Sequence, residues 1–191
     1  TVAGKDGKWK VTLPARKAGG PFTMTITAKN TITFEDVLIG EVWICSGQSN
    51  MEWPLASVNN AAAEVTSANF PEIRLFQVPK KVAQRPLDDL DAGEWAVCTP
   101  ATAERFSAIG YLFGRQLHQD LKVPVGLINS SWGGTIAETW ISGETIEKDP
   151  DFATPLKTLL DFDLGSFEEQ KKAHLRQLFG GEIPSEDKGL V

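Results

Sequence analysis

Ser49 stands between two amide side chains, Gln48 and Asn50, just after the apolar run Val42-Trp43-Ile44-Cys45. A hydroxyl at the end of a buried strand, flanked by uncharged hydrogen-bonding groups, is one way to present a serine nucleophile. An ordinary polar loop is the other reading, and both stand on these residues alone. A helix starting just after Ser49 would leave free backbone N–H groups able to stabilise a developing oxyanion. A second stretch, "SSWGGT" from Ser130 to Thr135, also follows an apolar run and carries paired glycines, Gly133 and Gly134. Such a pair allows close backbone approach and exposed N–H groups. It fits a tight strand-to-helix turn, or a phosphate-cradling loop that lacks a P-loop lysine and the GxGxxG spacing.

A serine nucleophile needs a base, usually a histidine oriented by a carboxylate. The chain has two histidines. His118 falls inside a long helical pattern, and His174 sits among Glu168, Glu169, Lys171, Lys172 and Arg176, so both read as helix-surface residues. Glu52 and Trp53, next to the serine turn, suit either the floor of a sugar pocket or plain packing. Glu138 and Trp140 read as helix surface and core, and Arg105 and Ser107 as helix-start residues that cap and solvate. No Asp/Glu/His cluster has metal-ligand spacing, so neither metal nor cofactor is expected. Cys45 and Cys98 each lie in a short apolar run and read as buried thiols, with a bridge open if the protein is exported.

The elements that must position these residues change character near residue 40. Residues 1–39 alternate like strands, in "DGKWKVTL" after an Asp6-Gly7 turn, in "FTMTITA" and in "TITFEDVLIG". They predict three short strands, read as the end of a small β-sandwich-like domain. Residues 40–148 alternate strand and helix, the pattern of an α/β fold with a mainly parallel sheet. Strands are predicted at Val42–Cys45, Ile73–Val78 and Val123–Ile128. "SVNNAAAEVTSA" predicts a helix capped by Ser57, and Ala103–Leu121 a long one whose core stripe is Phe106, Ile109, Phe113, Leu117 and Leu121. "TIAETWIS" predicts a further helix start. Residues 149–191 read as a helical insertion, with "FEEQKKAHLRQLF" on its surface, ending in the linker-like "GGEIPSEDKGLV".

At 191 residues, 41% hydrophobic and 23% charged, the composition is that of a globular domain. A net charge of -6 without a dense Lys/Arg run excludes a general nucleic-acid binder. No apolar stretch approaches the ~20 residues of a membrane span. "TVAGKDGKWK" has no signal-peptide h-region, which leaves the compartment open.

"GEVWICSGQSNMEWPL" and "FSAIGYLFGRQLHQDLKVPVGLINSSWGGTIAETWIS", in that order, resemble the sialate O-acetylesterase family. This family is a carbohydrate-esterase branch of the SGNH (GDSL-like) serine hydrolases, and the resemblance spans roughly Asp6 to Ser142. It implies a three-layer α/β/α, flavodoxin-like fold, with a β-domain often preceding it. It also implies removal of acetyl groups from an acetylated sugar or glycan, and an exported location. The family's nucleophile maps to Ser49. Its oxyanion glycine maps to the Gly133-Gly134 pair, with Gly134 favoured, beside the N–H of Ser49 itself. Gln48, Asn50, Glu52 and Trp53 would border the substrate. The family's histidine, its acidic partner and a "QGE" element belong to a later block with no counterpart here. The expectation is therefore the front half of an esterase, inactive alone, associating with the missing half or with itself. A carbohydrate-binding or interaction module without catalysis is the alternative.

Overall fold

The computed structural model describes residues 1–83 and 85–178, in two compact units: Thr1–Val82 with Leu87–Thr135, and Ala83–Pro86 with Ile136 onward. The expected linker "GGEIPSEDKGLV" lies outside the described residues.

The first unit opens with an antiparallel hairpin, β1 (Gly19–Thr27) and β2 (Thr31–Ile39), forming a sheet of its own. Only two of the three expected strands form. The Asp6-Gly7 turn is present, closed by a hydrogen bond from the Gly4 N–H to the Lys8 carbonyl. Trp9, Val11 and Leu13, however, are exposed and unpaired. Alternation makes a segment fit to be a strand, but a strand also needs a neighbour to take its backbone hydrogen bonds. Asp36 of β2 anchors the hairpin to the next sheet through a 2.7 Å ion pair with Arg74.

β3 (Glu41–Cys45) follows at once. Next come the short helices α1 (Ser49–Glu52) and α2 (Ala61–Thr66), the strands β4 (Phe70–Gln77) and β5 (Trp95–Cys98), the helices α3 (Pro100–Ala103) and α4 (Ala108–Leu121), and β6 (Val125–Asn129). The sheet order is β3-β6-β4-β5. The three strands expected to be parallel are parallel, and β5 adds an antiparallel edge where the sequence shows only a brief apolar run. The α/β class expected from the sequence is the class observed.

The helices differ in detail. The expected Ser57-capped helix shrinks to α2. Ser57 closes a 3-10 turn, Leu55–Ser57, and the residue before α2 is Asn60 in a left-handed conformation. The expected Ala103–Leu121 helix begins later, as α4 at Ala108, after the separate short helix α3. Thr99 caps α3 with a reciprocal Thr99–Thr102 capping box, and the Ser107 hydroxyl restarts the helix by accepting the Gly110 N–H at 3.0 Å. Of the expected stripe, Phe106 is buried and Leu117 packs against the core, whereas Ile109, Phe113 and Leu121 are exposed. α4 buries Ala108, Gly110, Tyr111 and Gly114 instead. The glycines let α4 approach β6 closely: a Cβ on Gly114 would lie 2.5 Å from Leu127 Cδ1. Large apolar side chains mark a core face only where the partner leaves room for them.

The other face of this sheet is much barer. Along β3, Cys45 points to the core, while Val42 and Ile44 point away and are 62% and 69% exposed. In the second unit, "TIAETWIS" gives only a 3-10 turn, Ala137–Trp140, followed by α5 (Gly143–Ile146), α6 (Ala153–Asp161) and α7 (Leu164–Leu178). α7 carries the expected charged surface, with His174 exposed. Among the described residues no helix is long and apolar enough to cross a membrane.

The two faces of α4 separate by stability. Gly114→Val should cost about 1–3 kcal/mol by overpacking, whereas Ile109→Ala, on the exposed face, should move stability by less than about 0.5 kcal/mol. Urea unfolding of both variants checks this, and the reverse order would return the core to the Ile109 face.

Candidate functional site

β3 and β6 run parallel in register, Glu41 opposite Val125 through Cys45 opposite Asn129. Their C-terminal ends therefore release two loops side by side, where open α/β sheets place their ligands. The first loop turns through Ser46 and Gly47 into α1, which begins at Ser49. The second is Ser130–Thr135.

The two loops are laced together. The Ser130 N–H donates to the Cys45 carbonyl at 2.9 Å, which extends the ladder by one rung, and the Trp132 N–H donates to the Gly47 carbonyl at 2.9 Å. Asn129, only 2% exposed, organises the loop from below. Its Oδ1 accepts the Ser131 N–H at 3.2 Å and the Ser131 hydroxyl at 2.7 Å, and its Nδ2 donates to Gln77 Oε1 at 2.9 Å. The Gly133 N–H donates to Glu52 Oε2 at 2.5 Å. Every amide from Ser130 to Gly133 is thus committed. Gly134, at φ 78°, carries the first N–H in the loop with no hydrogen-bond partner among the described residues. A phosphate cradle needs several free amides at once, and this loop spends four of its own internally.

Ser49 lies against this loop. A Cβ on Gly133 would sit 3.1 Å from Ser49 Oγ and 2.8 Å from Glu52 Oε2, so only glycine leaves both atoms where they are. Gly134 has open space at its Cβ position, and its positive φ is what favours glycine there. Gln48, Ser49 and Asn50 are exposed, and their side chains make no hydrogen bond within the described residues. Trp53 is exposed too, with its indole N–H donating to the Ser57 carbonyl at 3.0 Å. Glu52, expected at the floor of a sugar pocket, uses both carboxylate oxygens internally, one on Gly133 and the other in an ion pair with Lys80. Burial alone would raise its pKa, but the Lys80 hydrogen bond, the Gly133 amide and the Lys80 charge together hold it below the usual glutamate value.

That shift makes Glu52 a poor proton acceptor. His118 is no better placed, because its Nδ1 is 2.7 Å from the Val123 carbonyl, before the start of β6. β6 alone, four steps at ~3.3 Å each, separates that end of the sheet from the Asn129 end where the loops meet by about 13 Å. His174 belongs to the second unit. The neighbouring thiol is also excluded as a nucleophile. Burial pushes Cys45 up, and it pushes Cys98 up to about 11, so both stay protonated near neutrality. Both cysteines are buried and unbridged. Among the described residues no three His, Cys, Asp or Glu side chains converge to hold a metal ion.

A family profile described as carbohydrate esterase, sialic acid-specific acetylesterase matches residues 39–152, which include both loops. The chain belongs to this family. Among curated relatives, sialate O-acetylesterase of Rattus norvegicus is 37% identical over 160 residues, covering 77% of this chain and 30% of the relative. The Homo sapiens protein of the same name is also 37% identical, covering 77% of this chain and 31% of the relative. The chain spans about a third of the length of the curated relatives it matches. The crystal structure of a carbohydrate acetylesterase from Xanthomonas citri superposes with a TM-score of 0.72 at 41% identity, covering 75% of this chain and 34% of that one.

Of the expected acetylesterase site, the structure brings Ser49, Glu52, Gly133 and Gly134 together, with Gln48, Asn50 and Trp53 exposed beside them. Lys80, Asn129 and Gln77 are additions. Lys80 lies in a charged loop with no motif, and Asn129 passes in sequence as one more strand-end residue. A buried amide at the exit of a central strand was the available signal.

The two glycines should fail differently. Gly134→Ala should cost about 1–2 kcal/mol through its left-handed backbone, and Gly134→Asn less, without moving its neighbours. Gly133→Ala should displace Glu52 or Ser49, visible in a crystal structure of the variant. An unmoved pair in that crystal would contradict the packing described.

Proposed function

We propose that this chain carries the nucleophile half of a carbohydrate O-acetylesterase centre, with Ser49 as the nucleophile. The observation that carries the reading is the packing of the Ser49 hydroxyl against Gly133, one residue before the uncommitted Gly134 amide. Ser49 Oγ attacks the acetyl carbonyl carbon, and the negative charge on the carbonyl oxygen is met by the Gly134 N–H and the N–H of Ser49 at the start of α1. The C–O bond to the sugar then breaks. The proton taken from Ser49 goes to the departing sugar oxygen, and water clears the acetyl-serine to acetate. Gln48, Asn50 and Trp53 present hydrogen-bonding groups and an aromatic face toward an acetylated sugar. The names of the relatives support sialic acid and related glycans as substrates.

The base is a group other than His118, Glu52, the cysteines and His174, which stands exposed on the charged face of α7, and it is supplied from outside this chain. Without it the Ser49 hydroxyl stays protonated, and the isolated chain is inactive. The bare Val42 and Ile44 at the β3 edge support a covering partner, either more of the same enzyme or a second copy.

In an enzyme preparation active on acetyl esters, Ser49→Ala should lower kcat by several orders of magnitude, while His118→Gln should leave it within about threefold, as expected of a group away from the chemistry. Retention of more than about a tenth of turnover by Ser49→Ala would end the nucleophile assignment. The isolated chain should show no Ser49-dependent hydrolysis and should run larger than a monomer in solution. An active, monodisperse monomer would show that the base lies within these residues.

A further inference from the structure

We infer that Glu52 and Lys80 form a positioning pair: the Glu52 carboxylate, braced by Lys80, holds the Gly133-Gly134 loop against the Ser49 turn. The inference rests on the roles proposed for Ser49 and Gly134.

Three segments far apart in sequence meet at this carboxylate. Glu52 ends α1, so it moves with the Ser49 turn. Its Oε2 takes the Gly133 N–H, which fixes the loop leaving β6. Its Oε1 pairs with Lys80, from the loop leaving β4. Lys80 in turn lies over the Trp132 ring at 5.6 Å, so the same ammonium touches both sides of the joint. Two consecutive glycines are the most flexible stretch a loop can have. Trp132 is tied by its N–H to Gly47, and the Thr135 hydroxyl donates back to the Trp132 carbonyl at 2.8 Å. Between those two ties, Glu52 is the only side chain of the described residues that grips the glycines by hydrogen bond. An ionised acceptor holds an amide about twice as strongly as a neutral one, so the joint needs a carboxylate that stays charged.

Lys80 keeps it so. Among the described residues it is the only charged group acting on Glu52, and with the Gly133 amide it offsets the upward push of burial. A carboxylate with a depressed pKa holds its partners above the ordinary glutamate value of about 4.3 and releases them only as pH falls through the lower, folded value. Removing Lys80 should raise that release point. Glu52 acts here through the loop and is a positioning residue.

The test has two arms on the full chain and its enzyme. In an acid titration followed by amide NMR, the Gly133 and Gly134 signals should move together, with a midpoint below the ordinary value of about 4.3. Lys80→Met should raise that midpoint, and Glu52→Gln should abolish it, while the Leu127 amide in β6 stays put as the fold control. A Gly134 signal indifferent to the Gly133 midpoint, or a midpoint unmoved by Lys80→Met, overturns the inference. In the active enzyme, Glu52→Gln should lower kcat about ten- to a hundredfold with KM little changed, the scale of a misplaced catalytic group. Loss of activity in Ser49→Ala with full kcat in Glu52→Gln overturns the positioning role alone. Turnover retained by Ser49→Ala overturns the nucleophile reading instead.

Discussion

Everything proposed for this chain depends on one pairing, the parallel register that sets Cys45 opposite Asn129. Parallel strands in register end together, so the loops that follow them must share one edge of the sheet. Had β3 and β6 run antiparallel, the Ser49 turn and the glycine loop would lie at opposite ends, and no local rearrangement could reunite them. The α4 crossover enforces the arrangement, since it carries the chain back along the sheet before β6 begins. Its glycine face lets the helix lie close enough to bury Tyr111, Ile73 and Leu127 in one core.

The backbone pairing brings the loops to the same place, and polar side chains fix them there. Asn129 ties the glycine loop down to β4 through Gln77, and Glu52 ties it across to α1. Because these bonds consume the amides from Ser130 to Gly133, the loop becomes specific: the first N–H left over belongs to Gly134, whose backbone favours glycine. The site is thus shaped by which hydrogen bonds are already made as much as by which residues are exposed.

The sequence made the parallel strands and the Ser49 and glycine motifs legible, because each rests on a short local pattern. It misplaced what depends on a distant partner. Trp9–Leu13 alternates like a strand but finds no neighbour. Ile109 and Phe113 have helical spacing but stay exposed, Phe113 reaching only Trp43 on the edge strand β3, because the approach of β6 selects Gly110 and Gly114 for the buried side. Glu52 reads as a free carboxylate beside a serine, and only the fold reveals that Gly133 and Lys80 have claimed it. Lys80 itself carries no signal at all, since its role comes entirely from where the loop after β4 lands. The expected domain limits at 39 and 148 rest on the change from strand-only to strand-and-helix patterning, and the hairpin β1–β2 keeps its own sheet while clipped to β4 by Asp36 and Arg74.

The central claim is that the Ser49 hydroxyl is the group that receives the acyl chain. It is tested most directly by treating an acetyl-ester-hydrolysing preparation of the enzyme with a serine-directed phosphonate and locating the adduct by peptide mass spectrometry. One phosphonyl group should appear on the peptide containing Ser49, and an acetylated sugar should protect that site. An adduct on Ser130, Ser131 or any other serine, with Ser49 unmodified and activity abolished, would contradict it.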